Sequence, residues 1–267
     1  MMKKTLLSFV VLLTAMAVQA QTVMKVSVSN PLSVSRNAVP VTIQLDTPVR
    51  SALVVDSKGV ELPCQLDDID SDGRNDCLSF IVPEIGGKKS LSYSVTLSES
   101  GQPRSYQPQV YAEMLLTNKK IKSTNKQDLY ISSLTVDNGT NPYWMLHHHG
   151  PAFENDMVAY RIYFDERQTV DIYGKYKRGL ELRDTQFYPD SDQKAAGYGD
   201  DVLWVGKTFG VGAIRGWNKG SMQMLQDVES RTLAVVARGP LRTIVKVVDK
   251  GWNPRYPDTC TPDERID

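Results

Sequence analysis

Leu91-Ser92-Tyr93-Ser94-Val95-Thr96-Leu97-Ser98 alternates apolar and polar residues without a break. Successive side chains of an extended chain point to opposite faces, so this run places its apolar residues on one face and its hydroxyls on the other. Helical geometry would scatter the same residues around a cylinder. Val39, Val41, Ile43 and Leu45 repeat the pattern between Pro40, Thr42, Gln44 and Asp46. Further strand-like runs lie at 23–28, 52–56, 77–82, 157–164, 168–173, 202–207, 211–217, 232–237 and 242–249. Turn chemistry separates them, as in Ser57-Lys58-Gly59, Gly86-Gly87, Asp137-Asn138-Gly139 and Arg238-Gly239-Pro240. No window carries a 3.6-residue period, and 111–121 comes nearest to a helix. The expected fold is all-β and sandwich-like.

The 267 residues carry 31 basic and 31 acidic side chains. That balance argues against a polycationic nucleic-acid binder. A content of 41% hydrophobic and 23% charged residues is that of an ordinary globular chain. Lys3 and Lys4 precede an apolar run from Leu6 to Ala17, and Val18-Gln19-Ala20 offers small residues where signal peptidase needs them. Residues 1–20 therefore read as a signal peptide cleaved after Ala20, with a periplasmic or secreted product. The run is too short for a permanent membrane span, and no later stretch is long enough. Ser98 to Gln109, rich in Ser, Gln and Pro, reads as a crossing between a first β-sandwich module (21–105) and a second domain (106–267). All four tryptophans and all three histidines fall in the second.

In an oxidising compartment, pairing of cysteines is expected. A hairpin centred between Asp70 and Ser71 sets Cys64 opposite Cys77, which predicts a disulfide and leaves Cys260 over. Between the two cysteines, Asp68, Asp70, Asp72, Gly73 and Asp76 reproduce the first half of a calcium loop. The twelfth position, where a bidentate Glu belongs, is Ser79. Calcium is the cation this half-pattern would take; a solvated Asp/Gly turn is the alternative.

His147-His148-His149-Gly150-Pro151 is the least ordinary string. In extended backbone His147 and His149 share a face, where they could supply a base near neutral pH or, with Glu154 or Asp156, ligate a metal. A polar strand end before a Gly-Pro turn is the plain alternative. Arg161 shares a face with Met157, Ala159 and Tyr163, so a buried guanidinium there needs a carboxylate, with Glu154 and Asp156 as candidates. Asp171, Tyr173 and Lys175 share one strand face, as a sugar-binding surface or a solvent face would have it. Gly206, Gly210 and Gly212 lie in strand-like sequence with no following helix, which excludes a phosphate loop.

Gln65 through Asp76, His149-Gly150-Pro151-Ala152-Phe153-Glu154-Asn155-Asp156, Ala159-Tyr160-Arg161, Asp171-Ile172-Tyr173-Gly174-Lys175, Gly239-Pro240-Leu241-Arg242 and Gly251-Trp252 together resemble domain-of-unknown-function family 4861. This is a family of exported proteins from bacterial polysaccharide-utilisation systems. The resemblance implies an N-terminal β-sandwich followed by part of a larger β-supersandwich akin to those of sugar mutarotases and polysaccharide lyases. Family members run longer, so the chain is expected to be truncated at its C-terminus. The resemblance also implies work on a complex, uronate-containing polysaccharide or oligosaccharide.

Elimination from uronates needs a base for the C5 proton and a cation for the carboxylate. His149 and Tyr173 are the expected base and acid, and Arg161 and Lys175 the expected cations. His147, Trp144 and Trp217 are expected to touch substrate, with Trp204 as a further stacking surface. A glycoside hydrolase would instead need two carboxylates, for which Glu154 and Asp201 are the candidates. A non-catalytic glycan-binding protein is the contrasting class. Apart from calcium, no cofactor is expected.

Overall fold

The computed structural model describes residues 21–117, 129–218, 220–226 and 228–252. The run read as a signal peptide and Cys260 lie outside the described residues. The first seven strands are β1 (Gln21–Ser29), β2 (Arg36–Gln44), β3 (Ser51–Val55), β4 (Glu61–Leu62), β5 (Cys64–Asp67), β6 (Cys77–Ile85) and β7 (Ser90–Ser98). They form two antiparallel sheets, ordered β1-β7-β3-β4 and β2-β6-β5. The alternating residues of β7 sit between two partners: Val95 lies opposite both Met24 and Val54. Tyr93, Val95 and Leu97 then face Leu78, Phe80 and Val82 of β6 in one shared core, which makes this a sandwich. Leu91, at the outer end of the run, is exposed.

The predicted Cys64–Cys77 disulfide is absent, and both thiols are free and buried. The register explains why. Cys64 pairs with Phe80 and Asp67 with Cys77, so the hairpin is centred on Asp72 rather than between residues 70 and 71. A slip of three residues is odd, and an odd slip turns a side chain to the other face of the sheet. Cys64 points into the sandwich core, while the Cys77 thiol receives a hydrogen bond from Arg242 Nη2 at 2.9 Å.

The remaining strands are β8 (Val110–Glu113), β9 (Ser133–Asp137), β10 (Ala152–Asn155), β11 (Val158–Ile162), β12 (Val170–Gly174), β13 (Asp200–Asp201), β14 (Gly216–Asn218), β15 (Ser221–Gln223), β16 (Ser230–Arg238) and β17 (Thr243–Lys250). A five-stranded sheet runs β13-β12-β11-β10-β8, a three-stranded one β17-β16-β9, and β14 pairs with β15. Residues 110–113 are strand rather than helix. Residues 202–207, read as strand, are loop, and 211–217 contribute only the start of β14. Two short helices, α1 (Leu182–Thr185) and α2 (Ser191–Ala195), cover part of the five-stranded sheet's surroundings, α2 held by an Asp190–Gln193 capping box.

Alternation gives the five-stranded sheet two unlike faces. Ala112 and Phe153 pack with Val136, Leu233 and Val235 in a core shared with the three-stranded sheet. Tyr111, Ala152, Ala159 and Tyr173 face the other way, under Leu182 and Phe187. The same face carries Glu113, Glu154, Arg161 and Asp171, all buried.

Gln65 ties the two sets of sheets together. Its Oε1 accepts from the amides of Leu241 (2.9 Å) and Arg242 (3.0 Å), and its Nε2 donates to the Arg242 carbonyl at 3.0 Å. Arg242 Nε reaches Asp67 at 2.7 Å. Gly239 is required there, because a Cβ would fall 1.9 Å from the Gln65 amide carbon.

Candidate functional site

Two ion pairs and a Glu–His hydrogen bond lie buried on the face of the five-stranded sheet that sits under Leu182 and Phe187. Glu113 Oε1 stands 2.8 Å from His148 Nε2. Lys175 Nζ donates to Glu154 Oε2 at 2.5 Å, and Arg161 Nη2 to Asp171 Oδ2 at 2.7 Å. Cross-strand register assembles the last pair, since Arg161 of β11 is directly opposite Asp171 of β12. The carboxylate that Arg161 requires is thus Asp171, and neither Glu154 nor Asp156.

Arg161 organises tyrosines above the sheet. Its Nη2 donates to the Tyr163 hydroxyl at 2.7 Å and its Nη1 to the Tyr188 hydroxyl at 3.1 Å. The guanidinium carbon lies 4.7 Å from the Tyr163 ring centre and 5.4 Å from that of Tyr173. Burial pushes the Tyr163 and Tyr173 hydroxyls above their ordinary range, so both remain protonated. Tyr173 is stacked on Phe187 at 3.5 Å, and its hydroxyl donates to that of the exposed Tyr188 at 3.4 Å. Opposite Tyr173 across the strands is Asp201, whose carboxyl is raised by burial and by Asp171 and lowered by Arg161.

His149 completes the cluster. Residues 147–149 form a 3-10 turn and not the expected extended strand, yet His148 is still buried while His147 and His149 are half-buried. The His149 ring stacks on Tyr143 at 3.8 Å, Tyr143 is stacked in turn near Tyr163, and Trp144 meets His149 edge-on at 5.0 Å. His149 Nδ1 lies 2.9 Å from the Tyr143 carbonyl. A carbonyl can only accept, so Nδ1 carries the proton and Nε2 presents the lone pair. Burial lowers the His149 pKa, the Tyr143 carbonyl opposes that, and Arg161, Arg167 and His147 add to the lowering. The net effect favours the neutral ring.

A family model, Domain of unknown function (DUF4861), matches residues 28–265. The chain belongs to the DUF4861 family. No curated protein and no solved structure matches it.

Several DUF4861 residues singled out from the sequence thus converge and others do not. His149, Arg161, Tyr173 and Trp144 belong to one cluster. Glu154 and Lys175 are matched to each other below it. Glu154 accepts from Lys175, Glu181 N and Leu182 N, and Lys175 donates also to the carbonyls of Asn155 and Gly179. Both are buried and saturated, so they anchor the 175–182 loop and leave no group for a sugar. Glu154 and Asp201 therefore do not form an open carboxylate pair. His147 meets His148 edge-on at 4.4 Å. Trp217, on β14, is exposed and makes no ring contact with the cluster among the described residues.

Tyr143, Tyr163, Tyr188, Arg167 and Arg215 were not singled out from the sequence. Arg167 lies over the Tyr143 and Tyr163 rings at 5.2 and 4.8 Å, pairs with Asp165, and donates to the Gly206 carbonyl at 3.1 Å. The exposed Trp204 packs against Gly206, which brings it to the same rim. Arg215 Nε and Nη2 are buried without a hydrogen-bond partner among the described residues. Burial lowers the Arg215 pKa and the charge of Asp165 opposes it. A signal for the tyrosines did exist, since Tyr163 follows Arg161 at the spacing of one strand face.

Among the four aspartates of the hairpin, oxygens of Asp68, Asp70 and Asp76 lie within 4.8 Å of one another, and Asp72 stands outside that group. Their oxygens already accept loop amides, Asp68 from Asp72 and Gly73, and Asp76 from Ile69 and Asp70. Three carboxylates supply part of the oxygen set that calcium takes, and the same arrangement serves an Asp/Gly turn.

Proposed function

We propose that this DUF4861 protein is exported and cleaves a complex, uronate-containing polysaccharide by elimination at His149. The observation that carries this reading is the neutral imidazole, with Nε2 as its basic atom, set in a rim of Trp144, Tyr143, Tyr163 and Tyr188. His149 Nε2 takes the C5 proton. The electrons of that C–H bond form the C4–C5 double bond as the C4–oxygen bond breaks, and the Tyr188 hydroxyl protonates the departing oxygen. Arg215, half-buried and without an ion pair among the described residues, is the cation for the uronate carboxylate, because Arg161 and Arg167 are already matched by Asp171 and Asp165.

The test is incubation of the mature chain with pectic and ulvan-like polysaccharides, following ultraviolet absorbance of unsaturated uronate together with reducing ends. Both should rise, and His149→Ala should lower the rate by about 10²–10⁴-fold. Reducing ends without the absorbance would replace elimination by hydrolysis.

One observation favours a second reading. Trp144 and Trp204 are 70% and 94% exposed, which suits stacking on sugar rings whether or not a bond is broken. Binding that depends on these tryptophans, with neither product formed, would make the protein a glycan-binding module.

A further inference from the structure

A second concavity lies where the two sets of sheets meet, away from the His149 cluster. It encloses ≈ 700 Å³ and shares no lining residue with that cluster. Arg104 and Tyr106 reach it from the segment after β7, Tyr111 from β8, Tyr130 from the loop before β9, Arg183 from α1 and Arg238 from the end of β16. Among the described residues its wall contains three arginines and no carboxylate.

The cations are arranged against aromatic rings. Arg238 lies 3.3 Å from the Tyr130 ring centre and Arg183 lies 5.3 Å from that of Tyr111. Nearby acids are engaged: the exposed Glu61 by Arg104 and Tyr106, and the buried Glu113 by His148 and Tyr111. Arg238 Nη2 donates to the Ile131 carbonyl at 3.1 Å, and Arg238 makes no ion pair among the described residues. Arg238 is exposed, and the partial desolvation that lowers its pKa is opposed by Tyr130, Tyr111 and Glu113.

We propose that this cleft binds an acidic sugar unit, with Arg238 on the anionic group and the tyrosine rings against the sugar. A planar guanidinium offers two parallel donors to a carboxylate or sulfate, and a ring beside it supplies an apolar face. The cleft would hold a charged stretch of chain apart from the bond being cleaved. The sugar half of this assignment rests on the proposed glycan function; the anion half rests on the cleft itself.

Calorimetry with tetragalacturonate tests it, on His149→Gln and on the double variant His149→Gln/Arg238→Gln, so that turnover does not interfere. The double variant should bind at least tenfold more weakly, and hydrogen exchange should show ligand protection of 104–112 and 238–240 only when Arg238 is present. Fully methyl-esterified tetragalacturonate should bind at least tenfold more weakly than the acid, and a sulfated tetrasaccharide run alongside separates sulfate from carboxylate recognition. Arg183→Gln, with circular dichroism on every variant, guards against a folding defect at residue 238. Equal affinity of the single and double variants, or protection elsewhere, overturns the cleft assignment. Absence of any acidic ligand binding overturns it too. Acid binding that depends on Arg238 in a protein that forms no product from any glycan would instead sink the elimination and leave the cleft standing.

Discussion

His148 and His149 both hold left-handed backbone, with φ of 61° and 58°. Such conformations cost on the order of 1–3 kcal/mol each for residues with a Cβ and survive only where surroundings over-determine them. Here the Glu113–His148 pair fixes one ring and the Tyr143 carbonyl fixes the other. Gly150 follows because a Cβ would lie 1.8 Å from the Ile162 carbonyl oxygen. The His149 pKa is lowered from 6.5, so the pH profile of kcat/KM should be flat near neutrality and fall only on the acid side, below 6.5. The linked stability has the same sense. Below 6.5 the unfolded chain takes up a proton before the folded one, so stability drops as pH falls towards the folded value and His149→Gln should flatten that drop. A profile centred above 6.5 would remove His149 as the base. At Arg161 the expectation concerns folding: Asp171→Asn leaves a buried guanidinium unmatched and should cost about 3–5 kcal/mol in urea denaturation. A loss below about 1 kcal/mol would mean that the tyrosine hydroxyls alone hold Arg161.

At the scale of elements, period-two alternation was readable wherever one strand face is buried and the other is wet, as in β2 and β7. It misled at 202–207, where Val202-Leu203-Trp204-Val205 is an unbroken apolar run of strand-forming residues, yet Val202 and Trp204 are exposed. A short apolar run in a loop imitates a strand because sequence reports composition and spacing and not what a face packs against. The site was partly legible for the same reason. Facing of Asp171, Tyr173 and Lys175 follows from spacing, whereas the pairing of Arg161 with Asp171 depends on strand register. Hairpin centring carries the same lesson at β5–β6, where nine loop residues shift the partners of Cys64 and Cys77 by three. Peptide mapping after alkylation without reductant should therefore find both cysteines alkylated. A peptide linked through Cys64 and Cys77 would show that β5 pairs in the other register, with its apolar face turned outwards.

At the scale of the molecule, the question is what makes two sets of sheets one object. Among the described residues the junction is held by Gln65, Asp67 and Arg242, with the Gly239-Pro240 turn pressed against the Gln65 amide. The sequence marks these positions only as polar residues and a turn, because their partners lie more than 170 residues apart. Hydrogen bonds at a buried junction contribute about 0.5–1.5 kcal/mol each, but an orphaned amide or carboxylate costs more than the bond itself. Gly239→Ala pushes the Gln65 amide aside and strands the amides of Leu241 and Arg242. We expect it to lower Tm by roughly 4–8 °C, from about 2 kcal/mol spread over a domain of this size. Gln65→Ala should do the same, and the double variant should add little, since both changes break one set of bonds. The cleft beside the junction should loosen along with it, so proteolysis at 99–109 should quicken in either variant. Two separate calorimetric transitions would show that each set of sheets folds by itself and that the junction only orients them. One transition at lower temperature would make Gln65 a member of a single cooperative core, and the acidic-sugar cleft a feature that folding of the whole chain creates.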